Sequence, residues 1–88
     1  MRLLLAEDDE NLNQTLTCQL EAAGFTVDAC QNGDDACFYG EQNIYDAILL
    51  DRMMPCMEGT DVLTSLRRKG ITAPVILITA LGTLHDKV

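Results

Sequence analysis

The sequence predicts an α/β domain built on an open, doubly wound parallel sheet with helices on both faces. Three observations carry that prediction. Short apolar runs alternate strictly with helical patterns along the 88 residues, in the order β-α-β-α-β-α-β-α. Two of those runs, Ala47–Leu50 and Pro74–Ile78, are almost wholly apolar, as in strands covered on both faces. The connections are short, which leaves room for one domain over residues 1–88 and none for a second.

Each element has its own warrant. Arg2–Ala6 is a short apolar strand that runs into Glu7-Asp8-Asp9-Glu10. A helix follows, with Leu12, Leu16, Leu20 and Ala23 on one face and Gly24 where a helix stops. Phe25, Val27 and Ala29 alternate with Thr26, Asp28 and Cys30, the period of a strand with one face buried. Asn32-Gly33 marks a turn, and Asp34-Asp35 suit the first turn of a helix through about Gly40. Asp46–Leu50 is the third strand, closed by Asp51. Pro55 and Gly59 frame a loop before a helix from about Glu58 to Lys69. Its acids come early and its bases late, which complements the helix dipole. Pro74 opens the fourth strand, Val75–Ile78, and Thr83–Val88 read as the start of a fourth helix.

Composition narrows the function. The chain is 48% hydrophobic and 23% charged, a globular balance. Its apolar runs are too short to cross a membrane, and acids from Glu7 onward do not suit a signal peptide, so a soluble cytoplasmic protein is expected. A net charge of −8 disfavours direct binding to nucleic acid or an anionic membrane and suits a divalent cation. Cys18, Cys30, Cys37 and Cys56 have no zinc-site spacing and are expected to be free thiols. Met53, Met54 and Met57 lack a Cys or His partner at useful spacing and read as loop packing.

The chemistry lies at the carboxyl ends of the strands, where open α/β sheets bind ligands. Glu7 and Asp8 follow the first strand, Asp51 ends the third and Thr79 follows the fourth. If the first and third strands are neighbours, three carboxylates share one crevice and repel one another. A hard cation with oxygen ligands offsets that repulsion, and Mg²⁺ fits best. The same arrangement suits attack of a carboxylate on a phosphoryl group. The blander reading of Glu7–Glu10 is helix capping. It is the better account of Asp9, as N-cap, and of Glu10.

Leu3-Leu4-Leu5-Ala6-Glu7-Asp8-Asp9, Ile48-Leu49-Leu50-Asp51-Arg52-Met53-Met54-Pro55 with Gly59, and Ile78-Thr79-Ala80 together resemble the receiver domain of bacterial two-component response regulators. The flavour is that of the branch with a winged-helix DNA-binding domain. The resemblance implies a flavodoxin-like sheet of order 2-1-3-4, with Asp51 as phosphoacceptor. It implies Asp8 as a direct Mg²⁺ ligand, Glu7 acting mainly through water, and the backbone carbonyl of Met53 as a further ligand. Thr79 would offer its hydroxyl to the phosphoryl group. The donor would be a phosphohistidine on a sensor histidine kinase, so the domain catalyses its own modification.

Such domains continue to a fifth strand and fifth helix and carry a Lys at the end of that strand. Residues 1–88 therefore read as a partial domain, and neither Lys69 nor Lys87 stands where that Lys is expected. Two consequences are expected. Phosphoryl transfer is impaired, and Val75–Ile78 becomes an open sheet edge through which copies self-associate. The alternative functions are a non-phosphorylatable pseudo-receiver that only binds proteins, and a haloacid dehalogenase-type hydrolase. The hydrolase needs a second Asp two residues after the nucleophile, where this chain has Met53.

Overall fold

The computed structural model describes residues 1–54, 57–78 and 84–87. Its elements are β1 (Arg2–Ala6), α1 (Glu10–Ala22), β2 (Thr26–Cys30), α2 (Gly33–Gly40), β3 (Ala47–Asp51), α3 (Gly59–Arg68), β4 (Val75–Ile78) and β5 (Leu84–Lys87). They form one sheet of order β2-β1-β3-β4-β5, and the first four strands are parallel. The doubly wound 2-1-3-4 arrangement is therefore as expected.

The sheet divides the apolar core in two. Leu4, Ala6, Ile48, Leu50, Val75 and Leu77 face one side, where Ala36 of α2 and Val62 and Leu66 of α3 cover them. Leu3, Leu5, Leu49 and Ile78 face the other, against Leu16 and Leu20 of α1. Alternate residues of one strand thus enter different clusters, and this is why Leu3–Ala6 of β1 and Ala47–Leu50 of β3 are apolar without a break.

Local signals set the helix ends. The Asp9 side chain caps α1 by accepting from Leu12 N at 3.1 Å, and Gly24 follows α1 at φ +99°, a conformation that costs other residues. Asn32 caps α2 by accepting from Asp35 N at 2.8 Å. Asn32-Gly33 is thus a cap and a first helical residue rather than a free turn. Gly33 is needed for space, since a Cβ there would lie 2.6 Å from Cβ of Met57.

At the amino edge of the sheet, Asp28 of β2 accepts from the Arg2 guanidinium and from the Tyr45 hydroxyl at 2.7 Å. The Arg2 backbone N–H donates to Asp46. The Tyr45 hydroxyl, followed by Arg2, holds the Asp28 carboxyl below its usual range. Arg67 straps the link from α3 to β4 by donating to the carbonyls of Ile71 and Ala73 at 2.7 and 2.9 Å.

Three expectations need correction. Of the expected helical start Thr83–Val88, the described part, Leu84–Lys87, is a strand antiparallel to β4, pairing Ile78 with Leu84 and Val75 with Lys87, while Thr83 and Val88 lie outside the described residues. The edge of β4 offers the backbone groups of residues 84–87 hydrogen-bond partners at once. It follows that β4 is not a free edge, and the premise for self-association through it fails. In β2, Cys30 is buried and Ala29 exposed, the reverse of the simple alternation. An edge strand is covered only in part, and Cys30 lies where its end meets α2.

Two glycines should respond differently to substitution. Gly24→Ala meets no atom within 4 Å and should cost about 1 kcal/mol through its φ alone. Gly59→Ala would place a Cβ 2.5 Å from the Asp51 carbonyl oxygen and should cost about 1–3 kcal/mol. Urea unfolding of the two variants checks the order. Equal losses would mean that the close approach at Gly59 relaxes freely.

Candidate functional site

The register of β1 on β3 builds the site. Ala6 is paired with Leu50, so the next residues of the two strands, Glu7 and Asp51, stand side by side at the carboxyl edge. Glu7, Asp8 and Asp51 each offer a carboxylate oxygen within 4.8 Å of the other two. Glu7 and Asp51 are buried, 3% and 7% exposed, and Asp8 is open to solvent. The strand ends drive two charges into an apolar wall while the third stays at the mouth.

Backbone donors relieve part of the cost. Glu7 Oε2 accepts from Asp9 N at 3.0 Å, and Asp51 Oδ1 accepts from Met53 N at 3.1 Å. The electrostatics remain unfavourable for full ionisation. Burial pushes Glu7 up to about 7, reinforced by Asp51 and Asp8. Burial and the neighbouring Asp8 also raise Asp51, whereas a hydrogen bond from Asp51 lowers Asp8. The pattern is that of carboxylates sharing a proton because they cannot all be charged together.

The donor set is all oxygen, as a hard cation requires. An octahedral Mg²⁺ with bonds of about 2.1 Å holds its oxygens roughly 3 to 4 Å apart. A limit of 4.8 Å is thus met by a small closure or by one contact through water. The residues fit the ion.

Of the expected site residues, the structure brings together Glu7, Asp8 and Asp51 and places Met53 in the loop directly after them. The Met53 side chain is 66% exposed, and its N–H faces Asp51. Thr79 lies outside the described residues. Its predecessor Ile78 is paired with Asp51, so β4 ends beside the acid group. Lys69 forms an ion pair with Glu41 near the carboxyl ends of α2 and α3.

Sequence reasoning missed two features. Met57 does have a sulfur neighbour, because the fold sets Cys37 Sγ 3.7 Å from its Sδ. No sequence spacing brings residues 37 and 57 together, so only tertiary structure shows the pair. The second is Asn13, buried behind the Glu7 loop. It shares the helical face of Leu16 and Leu20, and a polar residue on an apolar stripe was the available signal. Of the described cysteines, Cys18 is exposed, Cys37 half-buried and Cys30 buried, all free thiols, and Cys56 lies outside the described residues. Burial, with the Asp35 charge, pushes the Cys30 thiol up to about 11.

A 2-1-3-4 sheet with an acidic cluster where the strand order reverses defines a flavodoxin-like domain with its site at the topological switch point. A family model described as the response regulator receiver domain matches residues 3–88, and the chain belongs to that family. It is 38% identical over 88 residues to the transcriptional regulatory protein DltR of Streptococcus agalactiae, covering 100% of this chain and 39% of that protein. It is 39% identical to the transcriptional regulatory protein CusR of Escherichia coli, with the same coverage. The chain thus spans about two-fifths of the length of these relatives. Among solved structures, the receiver domain of the Francisella response regulator 1452 superposes with a TM-score of 0.86 at 34% identity, covering 93% of this chain and 68% of that one. The response regulator TrrA of Thermotoga maritima, in complex with Mg(2+)-BeF, gives 0.84 at 33% identity, covering 90% and 69%. No described helix is long and apolar enough to cross a membrane.

The acid trio predicts a particular pH dependence without added metal. Unfolded, Glu7 loses its proton near 4.5; folded, it keeps it to about 7. Between those values the native state holds more protons than the unfolded state, so stability falls as pH rises through the window. The loss should be on the order of 3 kcal/mol, because Asp8, held below its ordinary value, finishes titrating below this window and offsets none of it. Asp51→Asn should flatten the slope and exceed the parent in stability at the alkaline end. Chemical denaturation from acid to alkaline pH in the presence of a chelator measures both. A flat profile for the parent would contradict the assigned repulsion.

Proposed function

We propose that this chain is a phosphorylation switch in which Asp51 accepts a phosphoryl group from a phosphohistidine of a sensor histidine kinase. The observation that carries this reading is the convergence of Glu7, Asp8 and Asp51 at the ends of β1 and β3. Membership of the receiver family and likeness to a relative solved with Mg(2+)-BeF support it.

In this reading Asp8 and Asp51 would hold Mg²⁺ directly, with Glu7 acting through water and the Met53 carbonyl as a fourth protein contact. When bound, the ion would supply positive charge that offsets the repulsion between the carboxylate and the incoming phosphoryl group. An Asp51 carboxylate oxygen forms the new bond to phosphorus. The P–N bond to the donor imidazole breaks, and the imidazole nitrogen keeps the electron pair and takes up a proton. Asp51 is held for in-line attack by the end of β3 and by the Met53 N–H on its Oδ1. Thr79, following β4, donates its hydroxyl to a phosphoryl oxygen and carries the modified state toward the surface. The chain's net charge of −8 fits a role in which this segment does not itself bind nucleic acid. A kinase-fed switch of this kind works in the cytoplasm.

Intact-mass measurement after incubation with acetyl phosphate tests the acceptor. A phosphoryl increment should form with Mg²⁺, disappear with chelator and be absent from Asp51→Asn. An increment that persists in Asp51→Asn would move the acceptor elsewhere. No increment in the parent under any condition would favour a protein-binding pseudo-receiver.

A further inference from the structure

We infer that Asn13 is a positioning residue for the acidic site, setting the direction in which Glu7 and Asp8 present their carboxylates. This inference rests on the reading of that trio as the cation-holding group. Asn13 is the buried residue of α1, with 6% of its surface exposed. Its side-chain amide donates one N–H to the Glu7 carbonyl at 3.0 Å and the other to the Cys30 carbonyl at 2.9 Å. Both partners are carbonyls, so the amide can face them only with its nitrogen, and its orientation is unambiguous. Its oxygen lies 3.5 Å from the Thr17 hydroxyl, the donor. The Cys30 carbonyl accepts a second bond from the Glu7 N–H at 3.1 Å.

The carbonyl that Asn13 grips belongs to the peptide between Glu7 and Asp8. Fixing that peptide plane fixes the bonds along which the two neighbouring carboxylates leave the chain. Among the described residues no other side chain hydrogen-bonds to this peptide. The plain structural account, a buried amide completing backbone hydrogen bonds, predicts a loss of stability and nothing more. The positioning account predicts that geometry at the site changes beyond what lost stability explains.

Two measurements on the whole chain separate them. Isothermal titration with Mg²⁺ compares the parent, Asn13→Leu, Asn13→Ser, Asp8→Asn and Ile71→Val. Asn13→Leu keeps similar volume without a donor, and Asn13→Ser keeps one. Ile71→Val destabilises the core away from the acids. Amide hydrogen exchange at Asp9, whose N–H is held by the Glu7 carboxylate, is followed without metal. Asn13→Leu should weaken Mg²⁺ binding and speed Asp9 exchange, each by roughly tenfold, with Asn13→Ser between it and the parent. Ile71→Val should leave both unchanged while lowering the unfolding midpoint. Parent-like Mg²⁺ binding and Asp9 exchange in a folded Asn13→Leu or Asn13→Ser would overturn the inference. If instead Asp8→Asn binds Mg²⁺ as the parent does, or the parent does not bind it, the cation reading fails. Asp9 exchange then decides alone whether Asn13 sets the loop.

Discussion

The parallel pairing of β1 with β3 is the contact on which this molecule depends. It is a main-chain interaction, indifferent to side-chain identity, yet it brings the ends of two apolar strands together where the chain turns acidic. Glu7 and Asp51 then share a wall too poor in solvent to screen them. Two buried carboxylates and a third at the mouth are a standing cost, and nearby groups read as responses to it. The N–H groups of Asp9 and Met53 point at carboxylate oxygens, and Asn13 closes the back of the loop. The same crowding that weakens the fold gives the site its appetite for positive charge.

Stability is concentrated in the two clusters beside the sheet, with smaller contributions from polar contacts at the opposite edge. The Arg2–Asp28–Tyr45 group binds the amino ends of neighbouring strands, and Arg67 holds the approach to β4. Arg2 and Asp28 are partly exposed, so their ion pair contributes little by itself. The division of labour is spatial: one edge of the sheet holds the strands together, and the other carries the uncompensated charge.

Much of this was legible before any coordinates. The unbroken apolar character of Ala47–Leu50 signalled burial on both faces, and Asp9 and Gly24 announced the limits of α1. Strand order followed from the family resemblance, and with it the meeting of Glu7, Asp8 and Asp51. The misreadings share a cause. Residues 84–87 have no pattern strong enough to choose between helix and strand, so the choice fell to the open edge of β4. Cys30 and Ala29 were misassigned because alternation gives period and not which face a neighbour covers. The contact of Cys37 with Met57 and the reach of Asn13 to two carbonyls are properties of three-dimensional assembly.

Two glycines, Gly33 of α2 and Gly59 at the start of α3, border described residues of the loop after Asp51. Gly59 lets the start of α3 come against the Asp51 carbonyl, and Gly33 leaves room at the start of α2 for Met57. The mould of the loop is therefore written in absent atoms. A side chain within it, such as the exposed Met53, can be exchanged without disturbing its walls. A single methyl added to either wall cannot be placed without moving main chain or the Met57 stem. Diversity at this end of the molecule has room at exposed positions such as Arg52 and Met53 and almost none in the two residues that have no side chain to lose.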